Sequence, residues 1–361
     1  MVFTPGSQVR RWLLWAAIPY GMIAEFRARC YRRGWFAQRK LPVPVISIGN
    51  LTLGGTGKTP MVIRLAEWLL ADGKRVAILS RGYRRISRES MLLVSDGERL
   101  LAGPHEAGDE PFLIATRCPK AVVAVGADRY ELGRWVLGRC PVDCILLDDG
   151  FQHLALHRDV NLLLIDATDV NGLEAVVPAG RLREPLTAAA RASAIVVTRA
   201  DVAAQVAQVV QRLRDVVGPL PDPVQVVFRA EGLVSLTSGE SRPPVWCRGK
   251  TAVLCSGIGH AASFRATAEG LGLRLLDEIR YADHHLYATT DLELLRARAG
   301  ALNADLVLTT EKDGGKLAPL LTPADGHWWA VRLGTEFTAG EDRLRQVIFH
   351  PSSCMPVEAC A

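Results

Sequence analysis

Aromatic side chains are scarce, at 6% of the 361 residues, so any core built from this sequence is packed mainly by aliphatic groups. A surplus of one charge is also lacking. The 43 Lys and Arg against 38 Asp and Glu leave a formal +5, too weak to argue for nucleic acid as a partner. No C-x-x-C pair occurs among Cys30, Cys118, Cys140, Cys144, Cys247, Cys255, Cys354 and Cys360. Cys144 lies inside an apolar run, and reduced interior thiols explain the set better than a zinc cage or a disulfide framework. Internal repeats are absent, and no apolar run reaches the length of a membrane-spanning helix.

What is present begins at Trp12–Ala24, WLLWAAIPYGMIA, which carries no charge. As a helix it would span about 20 Å, short of the roughly 30 Å hydrocarbon core. Pro19 and Gly21 weaken it further as a spanning helix. Its flanks are basic, with Arg10 and Arg11 before it and Arg27, Arg29, Arg32 and Arg33 after. Trp12, Trp15, Tyr20 and Trp35 suit the headgroup zone of a bilayer. Residues 1–35 therefore read as a helix lying on a membrane surface, peripheral or monotopic. A core helix on the first domain and a cleaved signal are the other readings.

Short apolar runs then alternate with helical patterns. Val45–Ile48 runs into Gly49-Asn50, a glycine-rich loop follows, and Thr59–Ala71 reads as a helix with Pro60 in its first turn. Val76–Leu79, Cys144–Leu147, Leu162–Ile165 and Ile195–Val197 continue the strand type. This predicts an α/β fold of the P-loop NTPase type, a mostly parallel sheet with helices on both faces. Breakers concentrate at Pro219–Pro223 and Ser238–Pro244, with a linker strand at Val224–Phe228 between them. After them the pattern restarts with strand Ala252–Cys255, turn Gly257–Gly259, helices Ala261–Leu271 and Asp291–Ala301, and strand Leu306–Leu308. The expected units are a first domain over 36–221, a linker over 222–248, a smaller α/β domain over 249–350 and a tail over 351–361.

Thr52–Thr59 reads TLGGTGKT, the phosphate-loop pattern G-x-x-x-x-G-K-[ST] with Thr52 in the place of its first glycine. Thr52, Leu53, Gly54, Gly55, Thr56 and Gly57 form the expected nucleotide cradle, in which glycines let backbone N–H groups turn toward phosphate oxygens. Lys58 is placed to bridge the β- and γ-phosphates. Thr59 is placed to bring its hydroxyl to Mg²⁺ at the positive end of a helix. Leu146-Leu147-Asp148-Asp149 ends a buried strand, and because adjacent carboxylates repel there a cation is the more economical explanation. Asp148 precedes Asp149 as the expected Mg²⁺ ligand; a turn or helix cap is the ordinary alternative.

Seven segments occur in order: GNLTLGGTGKTP (Gly49–Pro60), SRGY (Ser80–Tyr83), GDEP (Gly108–Pro111), GADR (Gly126–Arg129), DDGFQH (Asp148–His153), PAGRLREP (Pro178–Pro185) and DHH (Asp283–His285). Together they resemble the tetraacyldisaccharide 4′-kinase family over roughly Trp12 to Phe349. The resemblance implies MgATP as phosphate donor and a tetraacylated glucosamine disaccharide 1-phosphate, a lipid A precursor, as acceptor through its 4′-hydroxyl. It implies a β-ribbon linker and a second domain closing over the site. It also implies work at the cytoplasmic face of the inner membrane with no protein partner.

Under the same resemblance, Asp109 orients or deprotonates the 4′-hydroxyl, and His284 takes the proton onward. Without it, a histidine in a surface turn would be the ordinary reading. Arg129 and Arg183, inside family motifs, become candidates for phosphate contacts. Arg81, with Arg84, Arg85 and Arg88, is either a solvated basic loop or a grip on the substrate phosphate or lipid headgroups. Gln152 and His153 are placed to read nucleotide or sugar, and Glu110 to face a helix starting at Pro111. Two rivals remain. Thr198-Arg199-Ala200-Asp201 resembles the guanine-reading T-K-x-D of a GTPase, and a membrane-bound ATP switch would also use the phosphate loop. GDEP and DHH favour the kinase, because a switch needs no base on the acceptor side.

Overall fold

Aliphatic, β-branched runs that bury both faces form the strands, because a parallel sheet between two helical layers offers no wet side. The structure is a computed structural model and describes residues 11–350. Arg10, Cys354, Cys360 and the expected tail over 351–361 lie outside the described residues. In chain order the strands are β1 (Val45–Asn50), β2 (Val76–Ser80), β3 (Met91–Asp96), β4 (Val122–Gly126), β5 (Cys144–Asp148), β6 (Val160–Asp166) and β7 (Ala194–Thr198). They continue as β8 (Val224–Ser235), β9 (Ser241–Arg242), β10 (Thr251–Ser256), β11 (Arg274–Arg280), β12 (Leu306–Thr310) and β13 (Trp328–Ala339). The helices are α1 (Leu14–Arg32), α2 (Lys58–Ala71), α3 (Pro104–Ala107), α4 (Asp109–Arg117) and α5 (Arg129–Leu137). After them come α6 (Ala203–Val217), α7 (Ala261–Gly270), α8 (Thr289–Ala301), α9 (Glu311–Leu317) and α10 (Glu341–Phe349).

All the strands join one sheet, ordered β11-β10-β12-β13-β8-β7-β6-β1-β5-β2-β4-β3, with β9 on β8. Strands β7 to β4 along this order are parallel and form the first block; β12, β10 and β11 form a second parallel block. The seam is the antiparallel pair β8 and β13, 12 residues each. Because β8 is parallel to β7 and β13 to β12, a flat sheet would point the carboxyl edges of the two blocks in opposite directions. The ribbon is not flat. Register breaks leave Glu231 extra on β8 and Thr338 extra on β13, and such bulges bend a strand and increase its twist. This bend is what allows the two carboxyl edges to meet.

Side chains alternate to serve the two helical layers. Ala252 and Leu254 of β10 pack with Phe264 of α7, while Val253 and Cys255 pack with Leu292 and Leu295 of α8. In the first block, α2, α4 and α10 cover Ile46, Ile48, Ile78 and Leu146, and α5 covers Leu79 and Ile145 from the other side. Leu344, Val347 and Ile348 of α10 are buried in the core of the first block. Phe337 of β13 stacks on Trp68 with centroids 5.0 Å apart, and Arg345 lies 4.0 Å over the same indole. The unit drawn at 249–350 therefore ends on a helix whose core contacts belong to the first block. The six described cysteines are free, and burial pushes the Cys118, Cys144 and Cys255 thiols up to about 12.

Helix α1 takes up the expected uncharged segment from Leu14, passes through Pro19 and runs on to Arg32. It turns small residues inward: Ala17 packs on Ala175 and Ala179, and Gly21 approaches Val176, where a Cβ would meet Cγ2 at 3.4 Å. Large apolar residues face out, with Trp15 75%, Met22 67% and Ile23 68% exposed, and Trp12 71% exposed just ahead of the helix. No described helix is long and apolar enough to cross a membrane.

Candidate active site

Strand β1 delivers the phosphate loop at the carboxyl edge of the first block. The Asn50 amide donates to the Thr52 carbonyl at 2.8 Å, and its oxygen accepts from Lys58 Nζ at 3.2 Å. Gly57, at φ +79°, caps α2, and a Cβ there would sit 2.2 Å from the Phe228 ring. Glycine is thus required twice, by conformation and by space. The GRLRE segment props the loop: Thr52 bridges Leu182, and Leu53 N–H donates to the Arg181 carbonyl at 2.8 Å. The carbonyls of Leu53, Gly55 and Thr56 accept from Arg181 at 2.6 Å, Arg199 at 3.1 Å and Thr198 at 3.0 Å. Tying carbonyls outward favours amides facing inward, as an anion needs. Thr198 and Arg199 of the GTPase-like motif are therefore props of the loop, and Asp201 is paired with Arg229 at 2.9 Å.

The two aspartates differ although they are adjacent. Asp148, 2% exposed, accepts from Ser80 Oγ through Oδ2 at 2.8 Å, whereas its Oδ1 is buried without a hydrogen bond. Burial, then Glu110 and Asp149, push its pKa up. Asp149, at φ +54°, pairs with Arg183 at 2.9 Å and Lys58 at 3.6 Å. Burial opposes its ionisation, but Lys58 and Arg183 carry its pKa below the usual range. A buried carboxylate oxygen with no partner is costly, and a divalent cation is the partner that fits it. Thr59 follows Lys58 in the first turn of α2.

The arginines expected on the substrate side divide. Arg81 is exposed at the end of β2. Arg129 is 4% exposed, and its guanidinium donates to the Gly126 and Ala127 carbonyls. The turn after β4 thus takes up one nitrogen of the group with main chain, near the aspartates. Arg183 is on Asp149 rather than apart from the nucleotide loop. Gln152 Nε2 donates to the Asn50 carbonyl at 2.8 Å, bracing the loop. Burial, then Arg129, hold His153 down to about 4. Arg84 reaches the Asp283 carbonyl at 2.8 Å, and Arg85 turns back on the Glu89 and Ser90 carbonyls.

Across the cleft, His284 Nδ1 lies 3.0 Å from both carboxylate oxygens of Asp109. Asp109 opens α4, after Gly108 at φ +91°, so the helix starts before the expected Pro111 and its positive end faces the carboxylate. His284 adopts φ +63° in the turn after β11, its N–H donating to the Gly257 carbonyl at 3.1 Å. Burial alone would raise the Asp109 pKa, but the His284 hydrogen bond and Lys312 lead the effects that lower it to about 2. His285 is structural, bonding Asp291 at 3.0 Å and stacking on Tyr281. Two lysines that sequence reasoning passes over complete the site: Lys312 Nζ is 3.7 Å and Lys316 Nζ 3.5 Å from Asp109 Oδ2.

Fold and site together define a P-loop nucleotide-binding protein with a second α/β half closed on its phosphate loop. A model of the family described as tetraacyldisaccharide-1-P 4′-kinase matches residues 9–350, and the chain belongs to that family. The tetraacyldisaccharide 4′-kinase of Geobacter sulfurreducens is 42% identical over 305 residues, 84% of this chain and 83% of the relative. That of Geobacter metallireducens is 40% identical over 306 residues, 85% of this chain and 88% of the relative. The crystal structure of LpxK from Aquifex aeolicus in complex with ATP superposes with a TM-score of 0.77 at 34% identity, covering 95% of this chain and 99% of that one.

The lowered pKa of Asp109 makes a stability prediction. Its folded value lies below the unfolded one, so the contribution is complete above pH about 4 and is lost as pH falls through about 2. A shift from 3.8 to about 2 is worth about 2 kcal/mol. The urea stability gap between wild type and Asp109→Asn should therefore narrow as pH drops from 5 toward 2, by about that amount. A gap that is flat with pH would contradict the ion pairing.

Proposed function

We propose that this chain uses a P-loop and an acceptor-side carboxylate to transfer the γ-phosphate of ATP to the 4′-hydroxyl of a tetraacyldisaccharide 1-phosphate. The kinase activity and its place in lipid A biosynthesis rest on family membership. The observation that carries the assignment of roles is the 3.0 Å contact between His284 and Asp109, made from opposite halves beside the aspartate pair. A nucleotide switch has no use for such a group.

Phosphoryl transfer demands positioning and charge neutralisation more than covalent help. In our reading Lys58 and Arg183 neutralise the phosphates, and Thr52–Thr59 cradle them. Mg²⁺, held by Asp148 with Thr59 and Asp149 beside it, would supply charge neutralisation on the phosphate oxygens. Asp109 orients the acceptor hydroxyl and accepts its proton as the bond to phosphorus forms. Its low pKa makes it a weak base, which suits a loose transition state in which the proton leaves late. Arg81 remains the exposed candidate for the substrate's 1-phosphate. The first block and the α/β half that begins at 249 act as two jaws on the ribbon of β8 and β13, with α10 tethering the second to the first.

Helix α1 would lie on the cytoplasmic face of the inner membrane. Exposed Trp12, Trp15, Met22 and Ile23 enter the interface, and Arg27, Arg29 and Arg33 meet anionic headgroups. The helix also touches the site: Tyr20 OH donates to the Arg183 carbonyl at 2.9 Å, and Arg27 reaches the Gln152 carbonyl at 3.4 Å. A lipid acceptor would thus be met where the chain meets the bilayer. Trp12→Ser with Trp15→Ser should reduce vesicle flotation without changing the thermal melt. Undiminished flotation would leave α1 as a core helix.

The reaction itself is tested with γ-labelled ATP and a lipid A precursor. Label should appear in the lipid with wild type and be absent with Lys58→Ala, whose melt stays unchanged. Label transfer by Lys58→Ala at a near-normal rate would remove the phosphate-loop assignment. Hydrolysis without labelled lipid would leave a switch, and preferential use of GTP a GTPase.

A further inference from the structure

The turn over 257–260 reaches from the second half to the phosphate loop, and its root is rigid. Gly257 N–H donates to the buried Asp313 at 2.9 Å, and a Cβ on Gly257 would meet the Ala282 carbonyl and the Tyr287 hydroxyl at 3.2 Å. The turn ends on His260, the residue that precedes α7. Such a position favours Ser, Asp or Asn, whose side chains bond the first turn of the helix. The His260 side chain makes no bond of that kind, and the residue is exposed. Its ring lies against the tip of the phosphate loop: Cδ2 is 3.7 Å from where a Cβ on Gly55 would stand.

On the first half, the two arginines at this tip are already matched. Arg181 pairs with Asp169 at 3.0 Å and donates to the Leu53 carbonyl; Arg199 pairs with Asp166 and donates to the Gly55 carbonyl. A histidine serving stability alone would close on Asp169, and Arg181 already holds that carboxylate. A triphosphate entering the loop brings negative charge that these pairs do not answer. The position of the turn says which phosphate His260 faces. The Gly257 carbonyl accepts from His284 N–H at 3.1 Å, so one turn serves both the loop tip and the acceptor side. The phosphate to be transferred must lie between those two places. A donor brought across the loop to that phosphate meets charge where it gathers during transfer.

We propose that His260 is a nucleotide contact supplied by the second half: its imidazole N–H donates to the γ-phosphate of ATP held in the phosphate loop. The nucleotide site is then complete only with both halves in place, and the second half distinguishes ATP from ADP. The inference rests on the reading of Thr52–Thr59 as an ATP site, and it can be examined by binding alone, without an acceptor or turnover.

The test is calorimetric binding of two probes to the full chain in the presence of Mg²⁺: adenylyl imidodiphosphate, a triphosphate analogue that is not transferred, and ADP. His260→Ala should weaken the analogue about tenfold, the usual loss for a hydrogen bond to a charged group, and leave ADP within about twofold. His260→Arg keeps a donor at the position and should hold the analogue within about threefold of wild type. The melt of His260→Ala should match wild type, because the residue is exposed and caps nothing. Should that variant fail to fold, His260→Leu carries the same measurements. Unchanged affinity for the analogue overturns the proposal and leaves the ATP site standing. An equal loss for analogue and ADP also overturns it, since His260 would then be a prop of the loop. A wild type that binds neither probe overturns the phosphate-loop reading itself, and this inference with it.

Discussion

Helix α4 is fastened to the second half at both ends. Its first residue, Asp109, meets His284, Lys312 and Lys316; its last, Arg117, is 8% exposed and meets Glu311 at 2.9 Å and Glu231 at 3.3 Å. Glu231 is the bulged residue of the ribbon, and Arg117 also donates to the Leu333 carbonyl across from it, at 3.2 Å. Separating the halves would break the Arg117–Glu311 pair, leaving Arg117 with Glu67 at 3.7 Å and Glu311 with Arg332 at 3.4 Å. The helix that begins at Asp109 therefore also holds, through Arg117 at its other end, the bulged stretch of the ribbon. The return of α10 to the first core serves this geometry, because it anchors both strands of the ribbon to one rigid body.

Charge is distributed unevenly along the cleft. On the nucleotide side, Asp148 is buried with one oxygen that accepts no hydrogen bond. On the acceptor side, Asp109 is equally enclosed but surrounded by donors, and it remains an anion without help. The two carboxylates titrate in opposite directions, and their neighbours rather than their residue type make the difference. Glu110 lies between the two groups, raising the pKa of Asp148 on one side and lying 3.8 Å from Lys312 on the other.

The parts legible in the sequence are those whose chemistry is local. TLGGTGKT could be read because a phosphate loop needs glycines at fixed offsets, and Gly57 does adopt positive φ. Asp148 could be read because it ends a fully apolar strand. Arg129 could be found as part of a motif, but its burial could not, since GADR looks like an exposed turn until β4 is in place. His284 needed the resemblance, because a histidine in a turn has no local signature. Lys312 and Lys316 were illegible for a physical reason: EKDGGKL contains two glycines, each costing about 1 kcal/mol in a helix, so neither periodicity nor propensity marks α9. Strand β11 is hidden likewise, since RLLDEIR is an edge strand with charges.

Everything in this account depends on Asp109 and His284 working as one unit across the two halves. The measurement that tests it most directly is a double-mutant cycle in kcat with Asp109→Asn and His284→Gln. Each single change should cost at least about a hundredfold, and the double variant should lose little more than the worse single one. Losses that multiply would mean two independent groups, and a near-normal His284→Gln would contradict the claim outright.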